Sequence, residues 1–100
     1  RLAAGNFIEN NGSVLRTINI LRHEYNKLKN IKYALEDISE AEILDSVNFL
    51  AEEGYIQLRQ TATKEVATLA DSEFEALEAK LTGKGIRLLG GGILDNLIDL

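Results

Sequence analysis

Cysteine is absent, so the chain forms no disulfide and offers no thiolate to a metal. The one histidine, His23, has no second imidazole to complete a two-histidine site, and a lone titratable group of this kind reads as an ordinary helix residue. No apolar run approaches the ~18 residues that a membrane-spanning helix requires, and no secretory signal is visible. These absences make the cytoplasm the expected compartment, with no membrane partner. Methionine is missing too, and the first residue is Arg1, so the chain is expected to be a trimmed piece of something slightly longer. Also lacking is an excess of positive charge. The formal net charge is −5, whereas nucleic-acid binders draw affinity from neutralising phosphates. Any DNA-binding reading therefore has to rest on a local cluster of cations.

What is present suits one small soluble domain. At 100 residues a chain buries roughly two thirds of its unfolded surface, enough for one modest core. A hydrophobic fraction of 45% and a charged fraction of 27% are ordinary for such a domain. The best-defined stretch is Ser39 to Ile56. Ser39 followed by Glu42 is a capping box that opens a helix. Ile43, Leu44, Val47, Leu50 and Ala51 recur at helical spacing as one buried stripe. Gly54 supplies a left-handed stop, and Tyr55 and Ile56 open a β-rich run.

Residues 1–12 are expected to form an N-terminal arm, either a short docking helix or a disordered segment, ended by the turn signal Asn10-Asn11-Gly12. Ser13 is the expected cap of a long first helix whose stripe runs Val14, Ile18, Leu21, Tyr25 and Leu28. Ile31, Leu35 and Ile38 suggest a second, two-turn helix that leads directly into the third. Tyr55 to Thr61 reads as a half-buried strand, Ala62 to Glu65 as a turn and Val66 to Leu69 as the return strand. Asp71-Ser72-Glu73 signals another turn. Phe74 to Leu81 fits either a helix or a third strand, and the extended reading is preferred. Thr82 caps a last helix, Gly83 to Leu89, which Gly90-Gly91-Gly92 terminates. The tail, residues 93–100, has five apolar residues in eight and is expected to pack.

Two segments carry a family resemblance. Phe49-Leu50-Ala51-Glu52-Glu53-Gly54-Tyr55-Ile56 resembles the end of a recognition helix and the start of a wing in winged helix-turn-helix proteins. Leu81-Thr82-Gly83-Lys84-Gly85, with Leu88-Leu89, resembles the helix that follows the wing. With the glycine-rich termination and Ile93 to Asp95, the chain is similar to small winged-helix proteins of Mu-like phages and prophages. The resemblance covers about residues 13–95. It implies an α+β fold, mainly helical, in which a three-helix core carries a two- or three-stranded antiparallel wing and a C-terminal helix over residues 13–92. It also implies a DNA-binding transcriptional regulator, with double-stranded DNA as partner. A homodimer through the arm, the first helix or the tail is also expected.

In that family the exposed face of the third helix enters the major groove and the wing touches backbone or minor groove. From Ser39 to Glu53, however, there are five acidic residues and no basic one. At an effective dielectric of about 20 and about 8 Å, each unscreened like-charge pair costs roughly 2 kcal/mol. Cations lie elsewhere: Lys27, Lys29 and Lys32 in the link between the first and second helices, Arg59 and Lys64 in the wing, Lys80, Lys84 and Arg87 flanking the last helix. If DNA binds, the expected contacts are Arg59, Lys64 and Lys84 on the backbone, with Ser39, Ser46 and Asn48 near the groove. The alternative is a winged helix used for protein docking, with Glu42, Asp45 and Phe49 as contact candidates. Phe49 falls on the polar side of the wheel and is expected to pack under the wing or on the second helix, or else to anchor a partner.

No enzyme is apparent. Gly83-Lys84-Gly85 lacks the frame of a phosphate-binding loop, and Gly90 to Gly92 follows a helix where a dinucleotide loop precedes one. Ser13, Ser39, Ser46 and Ser72 have no plausible base nearby in sequence. No catalytic residue, metal or cofactor is expected.

Overall fold

The structure, a computed structural model, describes residues 2–67, 69 and 73–100. Among these residues four α-helices and three strands follow the order α1 (Leu2–Asn19), β1 (Asn26–Lys27), α2 (Leu28–Ala34), α3 (Glu40–Glu52), β2 (Ile56–Gln60), β3 (Leu77–Leu81) and α4 (Gly83–Leu89). A 3-10 turn, Phe74–Ala76, leads into β3. The strands form one antiparallel sheet in the order β1-β3-β2, so the fold is α+β. The Cα radius of gyration, 12.4 Å, is close to the ~13 Å of a compact domain of this length. No helix among the described residues is long and apolar enough to cross a membrane.

The first helix departs most from expectation. It starts at Leu2 rather than after Ser13, and stops at Asn19, well short of Leu28. Residues 2–12, expected as an arm, are its first part, and Asn10-Asn11-Gly12 is helix interior instead of a turn. Tertiary contacts override local propensity here. Asn11 is fully buried, and its Nδ2 donates to the Leu97 carbonyl at 2.9 Å. Gly12 lies so close under the tail that a Cβ would overlap the Asp99 carbonyl oxygen. The Asp99 N–H donates to the Ile8 carbonyl at 3.2 Å, and Arg16 donates to the Asp99 carbonyl at 2.9 Å. The tail thus packs across the middle of α1 with Ile98 buried, although Leu94 and Leu100 remain exposed.

Past Asn19 the chain turns, which splits the expected stripe between two helices. Val14 and Ile18 are buried on α1 and Leu28 on α2, whereas Leu21 lies exposed in the connection. Asn26 Nδ2 donates to the Ile18 carbonyl at 3.4 Å and to the Glu24 carbonyl at 3.2 Å, occupying an acceptor that a helix end leaves open. Asn26 and Lys27 then pair with Ala79 and Glu78 of β3. A strand of two residues has no alternation to detect, so helical periodicity runs through it in the sequence. α2 is accordingly set earlier than expected, at Leu28–Ala34, with Leu28 and Ile31 buried. Leu35 and Ile38 pack against the core from beyond its end.

From Ser39 onward, sequence and structure mostly agree. The capping box is formed, α3 buries Ile43, Val47 and Leu50, and Gly54 has the left-handed φ of 84° that ends the helix. β2 pairs with β3 from Ile56↔Leu81 to Gln60↔Leu77, which gives Leu77–Leu81 to the strand reading. The return strand expected at residues 66–69 is reduced to one bridge, Arg59↔Val66. Thr68 lies outside the described residues, as do Asp71 and Ser72 of the expected turn. Thr82 caps α4 by accepting the Gly85 N–H at 3.2 Å.

The seat of the tail on α1 yields a direct test. Gly12→Ala is expected to cost about 1–3 kcal/mol through overpacking, although alanine is the better helix former by about 1 kcal/mol. Gly83→Ala, where a Cβ meets nothing within 4 Å, should be close to neutral. Urea denaturation of both variants, with hydrogen exchange at the Asp99 amide, measures the difference.

Candidate functional site

The α3 face begins with its cap. The Glu42 N–H donates to Ser39 Oγ at 3.2 Å, while the Ser39 N–H and hydroxyl donate to Glu42 Oε1 at 3.1 and 3.0 Å. The Ser39 backbone N–H above all, then its hydroxyl, and Asn10 hold the Glu42 carboxyl below its ordinary range. That contribution is present above the ordinary carboxylate pKa and fades as pH falls through the lowered value. Ser39 and Glu42 are therefore both engaged in building the helix end.

Downstream, Asp45, Asn48, Glu52 and Glu53 are exposed, with Glu40 at the first turn. Ser46 is not on this face. It is fully buried, and its hydroxyl finds no hydrogen-bond partner among the described residues, so it cannot reach a DNA groove. Its position, three residues after Ile43 and four before Leu50, puts a polar side chain on the buried stripe. Phe49 is also accounted for internally. It is half-buried against Phe7 of α1, edge to face, with ring centroids 5.5 Å apart and an angle of 71°. Its ring partner is α1, instead of the wing or α2.

The cations expected to meet DNA make contacts within the chain. Arg59 Nε pairs with Glu78 Oε2, its direct cross-strand neighbour, and the guanidinium lies 3.5 Å from the centroid of the Tyr25 ring. Such stacking favours arginine. Lys64, in left-handed backbone with φ 64°, brings its Nζ to 3.7 Å from the same carboxylate. Lys84 Nζ donates to the Glu53 carbonyl at 2.8 Å, at the end of α3, and sits 4.9 Å from the Tyr55 ring centroid. Arg59 and Lys64 thus meet around Glu78, while Lys84 is held at the far end of α3. Lys27 and Lys29, where β1 meets α2, are exposed and make no ion pair among the described residues, while Lys64 and Lys84 make their contacts from exposed positions. His23 is exposed in the preceding turn.

Glu78 carries much of this arrangement and is not evident from sequence. It is only 4% exposed, and a carboxylate buried to that degree needs a charged partner. Charge complementarity with Arg59 becomes a signal once the β2–β3 register is known. Tyr55, read only as the start of a strand, joins three elements. Its carbonyl accepts the Thr82 N–H at 3.0 Å, its N–H donates to Leu50 at 2.9 Å, and its hydroxyl donates to Asp95 Oδ2 at 2.7 Å.

Beside α3 runs a groove of ≈ 240 Å³. Its floor is Ile56 and Leu58 of β2, both buried, together with Ala51. Asn48 and Glu52 form the α3 lip, and Val66, 73% exposed, stands on the other. No family model, curated protein or solved structure matches the chain.

Burial first, then the hydrogen bond and charge of Asp95 and the charge of Glu53, push the Tyr55 phenol up to about 12. A raised folded pKa gives stability that is full below the ordinary value of 10 and is lost as pH rises from about 10 to about 12. The unfolding free energy should therefore fall across that window. Tyr55→Phe should remove this part of the alkaline slope and cost about 1 kcal/mol at neutral pH, as read by urea denaturation at stepped pH.

Proposed function

We propose that the chain is a winged-helix module that docks a protein through the α3 face and the groove beside it, and does not read DNA with α3. The order α1-β1-α2-α3-β2-β3, with β1 beside β3, supports the winged-helix reading that the sequence resemblance suggests. One observation carries the choice of partner. The solvent face of α3 presents Glu40, Asp45, Asn48 and Glu52, while Arg59, Lys64 and Lys84 are committed to Glu78 and the Glu53 carbonyl. A helix entering the major groove normally brings arginine or lysine to guanine, and cations to phosphate. This helix would bring only carboxylates and an amide.

A second reading keeps the prophage-type DNA-binding regulator, with contact through the exposed Lys27 and Lys29 at the start of α2. A mobility shift on random-sequence duplex DNA across a salt series separates the two. Docking predicts no retardation even at about 20 mM salt, where counterion release is strongest. Retardation at low salt that weakens in Lys27→Ala/Lys29→Ala would overturn the docking reading in favour of DNA. Light scattering at high protein concentration decides whether the partner is a second copy: a dimer mass supports self-docking, a monomer mass a different protein.

A further inference from the structure

We infer that the groove beside α3 receives a cationic amphipathic helix, with a large apolar side chain seated between Ala51, Leu58 and Val66. The inference rests on the docking reading and adds the chemistry of the partner.

Two independent properties of the groove define that chemistry. The first is its floor. Ile56 and Leu58 are 3% and 4% exposed, so the bottom of the groove is closed apolar core surface. Val66 stands on one lip with 73% of its surface in water. An isolated valine that exposed costs little, and here it adds apolar surface to the rim of the groove. The second property is the sign of the surrounding charge. Asp45, Asn48 and Glu52 follow at spacings of three and four along α3, which aligns them on one face, and Asn48 and Glu52 line the groove directly. Glu53, exposed, follows Glu52 at the end of α3. No cation lines the groove among the described residues. The basic residues nearest in sequence, Arg59 beside Leu58 and Lys64 before Val66, are both paired with Glu78.

A floor that takes an apolar anchor and an acidic α3 lip describe the complement of a helix with apolar residues on one face and lysine or arginine on its flank. DNA and anionic lipid surfaces carry the wrong sign, and an acidic peptide would be repelled by the α3 lip. Screened lip charges set specificity and encounter more than affinity, so binding should weaken steadily with salt while the anchor persists.

The probe is a synthetic amphipathic peptide of leucine and lysine, about 15 residues long so that it can form a helix, compared with the same peptide carrying glutamate for lysine. Titration into the ¹⁵N-labelled full chain is followed by amide shifts. The expected result is saturable perturbation centred on Ala51, Ile56, Leu58 and Val66 with the lysine peptide only. Asp45→Lys/Glu52→Lys, two surface changes, should weaken the lysine peptide about 10-fold and let the glutamate peptide bind. Val66→Asp should abolish saturation at the groove. Equal perturbation by both peptides, or shifts mapped away from the groove, would overturn the inference and leave the docking reading of α3 standing. Duplex DNA shifting the same amides would overturn both.

Discussion

The pairing of β3 with strands on both sides is the constraint on which the rest of the domain depends. Leu77–Leu81 joins β1, which sits between the first two helices, to β2, which follows the third. Leu77, Glu78, Ala79 and Leu81 are all buried on this central strand of the sheet. The register that seats Leu77 opposite Gln60 also seats Glu78 opposite Arg59. One alignment therefore sets the apolar floor of the sheet and the ionic contact between Arg59 and Glu78. A slip of one residue would move Glu78 onto the other face and leave Arg59 without its partner.

That register also gathers the basic residues of the β2–β3 region around one buried carboxylate. Arg59 and Lys64 share a single carboxylate, and the Tyr25 ring fixes the guanidinium from the other side. Lys84 covers the carbonyl end of α3, where a helix dipole favours a cation. Each of these cations has a structural task, whereas the carboxylates at Asp45, Glu52 and Glu53 have none that removes them from solvent. The surface around α3 is acidic by remainder.

Legibility in the sequence followed the range of the interactions. α3 and α4 were readable because their signals are local: Ser39 with Glu42, the Ile43, Val47 and Leu50 stripe, Gly54, and Thr82. The boundaries of α1 were not, since they depend on contacts with residues far along the chain. Asn10-Asn11-Gly12 has the composition of a turn, and only Leu97 and Asp99 make it helix. Asn26-Lys27 has no strand pattern, and only β3 makes it one. The same holds at the candidate site. The acidity of α3 is plain from composition, but the burial of Ser46 and the commitment of Arg59 to Glu78 need the register and the helix packing. Phe49 met Phe7 because α1 extends further toward the N-terminus than its cap-like Ser13 suggested.

The tail on α1 also has a consequence for the order of folding during synthesis. Asn11 is made 86 positions before Leu97, whose carbonyl it bonds. Until that residue leaves the ribosome, the amide has no partner there and the flat side of Gly12 faces solvent or core. α1 carries two weak helix residues at that point, so its middle should remain frayed while α2, α3 and the β2–β3 hairpin assemble beneath it. Closure then comes late and joins the two ends of the segment in one step. Contacts of such long separation slow folding, and they also make it cooperative: the helix on which the core rests is completed only when nearly the whole domain is present.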